Sequence, residues 1–222
     1  MNKTVLLTPS IYCGDTANLS DEVRKLQAVG INWIHFDVMD GHFVSNYGLG
    51  PKELNDLKNH YPNLTIDVHI MAMNIMNLLP LFIKADYLTF HWNSIKNRGE
   101  GENLILAIKQ YHFKVGIALD LDNDINEIAP LLASINLVTL MAIKPGFTGQ
   151  QFEPLVWKKI KTISVWKQQF PHLLFQIDGG VRWNNIQQLI TSELDLIVVG
   201  SLLFQEQDYQ KVIDNINKTK KY

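Results

Sequence analysis

A single cysteine, Cys13, stands among 222 residues, so no intramolecular disulfide can form and a reducing compartment is expected. Charge of one sign is also missing. Twenty basic side chains face 22 acidic ones, and a net charge of −2 excludes the basic footprint that nucleic-acid binding needs. Apolar runs such as residues 78–83 and 196–199 fall far short of the ~18 residues of a membrane span. The opening Met1-Asn2-Lys3-Thr4 offers one lysine, and only residues 5–7 are apolar before Thr8-Pro9, which is too short for a signal peptide. No Gly/Ser linker, Pro-rich stretch or long charge run divides the chain. These absences predict a cytoplasmic protein built on one core, a single domain over residues 1–222.

What is present is a repeat of short apolar runs and helical periodicity. Strands are expected at 4–10, 33–37, 64–71, 87–91, 115–119, 137–142, 173–178 and 196–200. Helices are expected at 19–29, 51–59, 102–111, 154–170, 183–191 and 209–217. Ser20 would cap the first and Gly30 would stop it, and Pro51 opens the second. In the fourth, Val156, Ile160, Ile163 and Phe170 share a face. Strands alternating with crossovers imply parallel pairing, and runs apolar throughout imply strands buried on both faces. An open doubly wound sheet would carry a Gly-rich turn after its first strand, but the chain reads Thr8-Pro9-Ser10-Ile11-Tyr12 there. The expected fold is therefore an α/β (β/α)8 TIM barrel.

Polar residues that interrupt these strands are not scattered. Ser10, His35, Asp37, His69, His91, Asp178 and Gly200-Ser201 all fall at carboxyl ends, the face that carries the active site in such a barrel. His35 and Asp37, two residues apart on a strand, point to one side, while Ile34, Phe36 and Val38 point to the helices. A lone strand-end histidine is usually a satisfied core residue. Joined by His69 and Asp178, the pair becomes two imidazoles and two carboxylates at one mouth. That set suits one divalent cation, zinc, manganese, iron(II) or cobalt.

Glycines give a second signal. Lys144-Pro145-Gly146-Phe147-Thr148-Gly149-Gln150, Gly179-Gly180 and Gly200-Ser201 follow the last three strands. One such glycine would only make a tight turn. Three adjacent loops, with a short helix starting at Ser201, point to phosphate held by backbone amides. Met39, Met71, Met73, Met76 and Met141 lie near strand ends. Some of these are core filler, while Met39, Met71 and Met141 would form an apolar wall beside the cation. His42, His60, His112 and His172 are expected in solvent. Trp157 is off the apolar face of its helix, as a subunit contact or an exposed ring.

The strings Pro9-Ser10-Ile11, Ile34-His35-Phe36-Asp37-Val38-Met39-Asp40-Gly41-His42-Phe43-Val44, Asp67-Val68-His69-Ile70-Met71, Pro145-Gly146-Phe147-Thr148-Gly149-Gln150, Asp178-Gly179-Gly180 and Val199-Gly200-Ser201 resemble the ribulose-phosphate 3-epimerase family. The resemblance runs in order over nearly the whole chain. It implies a (β/α)8 barrel that interconverts D-ribulose 5-phosphate and D-xylulose 5-phosphate with one divalent metal. By that resemblance His35, Asp37, His69 and Asp178 are the ligands, and Asp37 and Asp178 are also the acid/base pair. Ser10 and His69 would touch substrate. Gly146, Phe147, Thr148, Gly149, Gly179, Gly180, Gly200 and Ser201 would hold the phosphate end.

Three departures mark this chain. Val44-Ser45-Asn46-Tyr47-Gly48 stands where the family usually has Val-Pro-Asn-Leu-Thr, and Lys144 and Thr148 replace Asn and Gly in Asn-Pro-Gly-Phe-Gly-Gly. Asn93 occupies the place of a common Glu. All lie around the sugar and phosphate, so the alternative substrate is a hexulose 6-phosphate such as D-allulose 6-phosphate.

Epimerisation removes a proton α to a carbonyl and returns one from the opposite face. Asp37 and Asp178 are expected to flank the sugar as a coupled pair. A sugar-phosphate decarboxylase would want a lysine between two aspartates, and Asp37-Val38-Met39-Asp40 has none. A non-catalytic phosphosugar-binding barrel, the more distant alternative, would not need two acid/base carboxylates. A homo-oligomer acting on a small ketose phosphate, with neither nucleic acid nor membrane as partner, completes the expectation.

Overall fold

The apolar runs become eight parallel strands in the computed structural model, which describes residues 5–219. Met1-Asn2-Lys3-Thr4, including the expected start of the first strand at Thr4, lies outside the described residues. The strands are β1 (Leu6–Pro9), β2 (Trp33–Met39), β3 (Thr65–Met71), β4 (Tyr87–His91), β5 (Lys114–Leu119), β6 (Leu137–Met141), β7 (Leu174–Asp178) and β8 (Leu196–Val199). Hydrogen-bonded order runs β1-β8-β7-β6-β5-β4-β3-β2. The two ends of that strip, β1 and β2, meet through an isolated parallel bridge between Ser10 and His35. The fold is thus a nearly closed (β/α)8 barrel, as the alternation of runs predicts.

Both barrel faces are buried, but with different chemistry. Ile34, Phe36, Ile66, Val68, Ile117, Leu140, Phe175 and Ile197 join the main core outside the barrel. Each fully buried side chain of this kind contributes about 1.5–3 kcal/mol relative to exposure. Inside the barrel the opposite phase is polar. Thr139 Oγ1 donates to Gln176 Oε1 at 2.8 Å, and Gln176 Nε2 donates to Thr8 Oγ1 at 3.2 Å. Thr89 Oγ1 donates to Asp67 Oδ1 at 2.7 Å. Tyr87, Leu137 and Leu196, with Trp33 and Leu174 packed on them, plug the amino-terminal end.

The crossovers depart from the expected helices in instructive ways. Helix α1 (Leu19–Ala28) is preceded by Asn18 rather than capped by Ser20, and Gly30, at φ +82°, ends the turn after it. Helix α2 spans Pro51–His60, opening with Pro51 as its start signal predicts. Helix α3 starts early, at Arg98 (Arg98–Gln110), because Asn97 Oδ1 accepts from the Glu100 amide at 3.0 Å. Helix α4 is Val156–Gln169, so Phe170 lies just past its end, yet still packs on the core. Helix α5 shrinks to Ile186–Ile190. Helix α6 (Ser201–Phe204) and helix α7 (Tyr209–Thr219) complete the set.

After β3 and β5 no α-helix forms. Short 3-10 turns at Ile75–Asn77 and Leu79–Leu81, and a 3-10 stretch at Ile125–Ser134, take their place. Pro80 and Pro130 fall inside these turns and lack the N–H that an α-helix would need. Trp157, expected off the apolar face, is half-buried. Its ring packs on the core and lies 5.5 Å from that of Phe152, so it is not a free surface ring.

Candidate active site

Four of the predicted residues converge at the carboxyl mouth. Parallel register puts Asp37 of β2 beside His69 of β3, and the pleat brings His35 to the same side. Asp178 ends β7. One donor atom from each of His35, Asp37, His69 and Asp178 lies within 4.8 Å of the others. His35 Nε2 is 3.0 Å from His69 Nδ1. Asp37 Oδ1 is 3.3 Å from His69 Nδ1, and Asp178 Oδ2 is 3.5 Å from the same nitrogen. Ser10 Oγ donates to Asp37 Oδ2 at 2.5 Å and fixes the other face of that carboxylate.

The opposite edges of both imidazoles are engaged. His35 Nδ1 lies 3.0 Å from Asp67 Oδ2. His69 Nε2 lies 2.7 Å from His91 Nε2, and His91 Nδ1 lies 2.9 Å from Asp120 Oδ1. A carboxylate at the end of each chain requires the facing ring nitrogen to carry hydrogen. With both rings neutral, as cation ligation needs, the hydrogens would sit on the outer nitrogens and leave the lone pairs of His35 Nε2 and His69 Nδ1 turned toward the two aspartates. That donor set, two neutral imidazoles and two carboxylates with outer partners fixing the tautomers, fits a divalent cation.

The local field agrees with the geometry. Burial alone would lower the His35 pKa, but Asp37, Asp178 and Asp67 reverse this and raise it well above the ordinary value. The spot therefore favours positive charge. Burial would raise the Asp37 carboxyl, yet His35 and His69 outweigh it and hold it below the usual carboxylate range. His91 is kept low mainly by its burial, which suits its neutral role between His69 and Asp120. The neighbouring Cys13 thiol, pushed up to about 11 by burial and by Asp37, stays protonated.

A cavity opens above these groups at the carboxyl mouth of the barrel. Ser10, Asp37 and Asp178 line it, as do Gly146, Phe147, Thr148, Gly149, Gly179, Gly180, Gly200 and Ser201. Every predicted phosphate-side residue therefore borders the cavity. Gly180, at φ +66°, admits no side chain: an added Cβ would stand 2.5 Å from the Phe152 Cα. Gly200 is also confined, with Cys13 Sγ 2.7 Å from where its Cβ would be.

Met39, Met71 and Met141 are buried and line the cavity, whereas Met73 and Met76 are exposed. His42, His60, His112 and His172 are exposed, as expected. Asn46 Nδ2 donates to the Gly146 carbonyl at 2.7 Å and ties the loop after β2 to the loop after β6. Gly48, one of the departures, lets that loop lie against β2. An added Cβ would come 2.5 Å from the Asp37 carbonyl oxygen.

Four contributors were not singled out from the sequence. Asp67 and Thr89 are polar residues at inward positions of apolar strands, a signal that was legible. Asp120 follows β5 directly, one step past a strand end. Arg182 lines the cavity from the loop after β7, where nothing in the sequence fixes its direction.

The pattern of the Ribulose-phosphate 3 epimerase family matches residues 6–204. A ribulose-phosphate 3-epimerase of Buchnera aphidicola subsp. Acyrthosiphon pisum is 35% identical, with 100% of this chain and 97% of that protein covered. One from Escherichia coli strain K12 is 32% identical over 96% of this chain and 95% of its own. Among solved structures, tryptophan synthase of Mycobacterium tuberculosis superposes with a TM-score of 0.69 at 13% identity, covering 100% of this chain and 94% of that one. The 3-hexulose-6-phosphate synthase of Salmonella typhimurium gives 0.63 at 16% identity, over 96% and 97%. At such identities these two likenesses speak for the barrel alone.

Proposed function

Because this chain belongs to the ribulose-phosphate 3-epimerase family and is thus an isomerase, we propose that it inverts C3 of D-ribulose 5-phosphate to give D-xylulose 5-phosphate. One observation carries the reading: four donor atoms, from His35, Asp37, His69 and Asp178, converge within 4.8 Å under a glycine-lined cavity. His35 Nε2, His69 Nδ1 and the two carboxylates would hold one divalent cation. When bound, it supplies Lewis-acid stabilisation for negative charge developing on the C2 oxygen of the ketose.

The chain's own residues do the rest. Asp37, kept ionised by its histidines and by the Ser10 hydroxyl, takes the C3 proton in one direction of the reaction. Asp178 then returns a proton to the other face. Counted through β1 and β8, β7 stands three strand positions from β2, so the two carboxylates approach a central sugar from different sides. Met39, Met71 and Met141 exclude water beside them, which strengthens the electrostatics of the enediolate. Backbone amides of the loops holding Gly146, Gly149, Gly179, Gly180, Gly200 and Ser201 take the phosphate.

A hexulose 6-phosphate is the second reading. Ser45, Asn93 and Lys144, three of the departures, line a neighbouring cavity that shares Pro145 and Phe147 with the first. That adjoining space gives a longer sugar somewhere to lie. A homo-oligomeric, cytoplasmic enzyme fits either reading. Among the described residues no helix is long and apolar enough to cross a membrane.

The deciding experiment is a coupled assay over ribulose 5-phosphate, allulose 6-phosphate and free D-ribulose. The largest kcat/KM is expected for ribulose 5-phosphate. A larger value for allulose 6-phosphate would transfer the assignment to the hexulose. Asp178→Asn, nearly isosteric, should stay folded and lose about 10²–10⁴-fold in turnover. Wild-type turnover in that variant would remove the two-base mechanism.

A further inference from the structure

The cavity is lined by two carboxylates, Asp37 and Asp178, and by one basic side chain among the described residues, Arg182. Arg182 lies in the loop between β7 and α5. It borders the same space as Gly179 and Gly180 of its own loop and Gly200 and Ser201 of the next. β7 and β8 are hydrogen-bonded neighbours, so the two loops stand side by side.

The loop is held in place from within. Asn185 Oδ1 accepts from the Arg182 amide at 2.9 Å, and Asn185 Nδ2 donates to the Gly180 carbonyl at 3.0 Å. The Ile186 amide donates to the Arg182 carbonyl at 3.0 Å. Arg182 Nη1 donates to the Val181 carbonyl at 2.8 Å, which steadies the guanidinium. That bond uses one of five N–H donors. The half-buried charge has no carboxylate within ion-pair distance among the described residues.

A half-buried guanidinium with one hydrogen bond, on a residue that borders the cavity, has donors left for an anion with several oxygens. Its planar fork matches phosphate in a bidentate way that backbone amides alone do not. The need is sharpened by Asp37 and Asp178, which repel a dianion entering the same space. We propose that Arg182 is a substrate-binding residue, whose guanidinium donates to the phosphate oxygens of the ketose phosphate and sets the preference for phosphorylated sugars. This rests on the epimerase reading above in taking the ligand's anionic end to lie in this cavity.

The test compares the full chain with Arg182→Gln and Arg182→Lys, using inorganic phosphate as a competitive inhibitor. In Arg182→Gln, the Ki of inorganic phosphate and the KM for ribulose 5-phosphate should both rise about ten- to a hundredfold, as for a lost charged hydrogen bond. The value of kcat should change much less. Arg182→Lys keeps the charge without the fork, should fold if Gln does not, and should show a smaller rise in the same two constants. A phosphate Ki within twofold of wild type in both variants would overturn the proposal. So would a loss confined to kcat. Failure of the underlying reading looks different: the wild-type chain itself would turn over free D-ribulose as well as its phosphate, and both assignments would fall together.

Discussion

His69 turns its Nδ1 toward Asp37 and Asp178 and its Nε2 toward His91, so in the proposed cation site its basicity would be set by His91, which is not one of the four donors. Asp67 does the same for His35. Outer partners of this kind fix the tautomer and raise ligand basicity, and their loss typically weakens metal affinity about 10–100-fold. His91→Phe removes the acceptor for the His69 Nε2 hydrogen at similar volume, and Asp67→Asn removes a carboxylate. Each should raise the dissociation constant for zinc or manganese by about that factor, read by competition with a chelating indicator. Constants within twofold of wild type would show that the outer bonds are incidental. At this scale the sequence revealed the residues that break an apolar strand at its end, His35, Asp37, His69 and Asp178. It hid Asp120 and Arg182, because both stand in loops, where no periodicity tells a side chain's direction.

Strand phase explains why most of the barrel was readable. In β2, Ile34 and Phe36 had to face the helices, and they do. After β3 and β5 no helix was expected and no α-helix forms, and Pro80 and Pro130 inside the 3-10 turns there lack the N–H that an α-helix would need. The start of α3 drifted, because Asn97 caps it ahead of the expected Glu102, whereas α1 starts at Leu19 as expected although the Asn18 side chain makes no cap hydrogen bond.

Within the strands, Gly116 of β5 is the element-level counterpart of a site residue. A Cβ there would overlap Thr89 Oγ1 and lie 2.9 Å from the Thr89 Cβ. Thr89 is also the donor that steadies Asp67. Gly116→Ala should therefore destabilise the chain by about 1–3 kcal/mol in urea unfolding. The same change in a Thr89→Ala background should cost clearly less, because the obstructing hydroxyl is gone. Additivity within about 0.5 kcal/mol would show the two positions to be independent.

At the scale of the whole molecule, the strip of eight strands is a barrel only if its ends hold. Seven neighbouring pairs run in continuous ladders, whereas β1 and β2 meet through one bridge at Ser10 and His35 and through the Ser10–Asp37 hydrogen bond. The seam is fastened by residues of the candidate site themselves. His35, Asp37 and His69 belong to one end of the strip, and Asp178 stands on the third strand from the other. A cation gripping all four is a buckle on a hoop. Binding at a hundred times its dissociation constant stabilises the fold by about 2.7 kcal/mol. In hydrogen exchange, zinc or manganese should slow β1 and β2 amides more than those of β4 to β6, which stand opposite the seam. Equal slowing around the ring would refute the buckle. If the buckle holds, a chelator would lower the activity and loosen the joint between β1 and β2 in a single act.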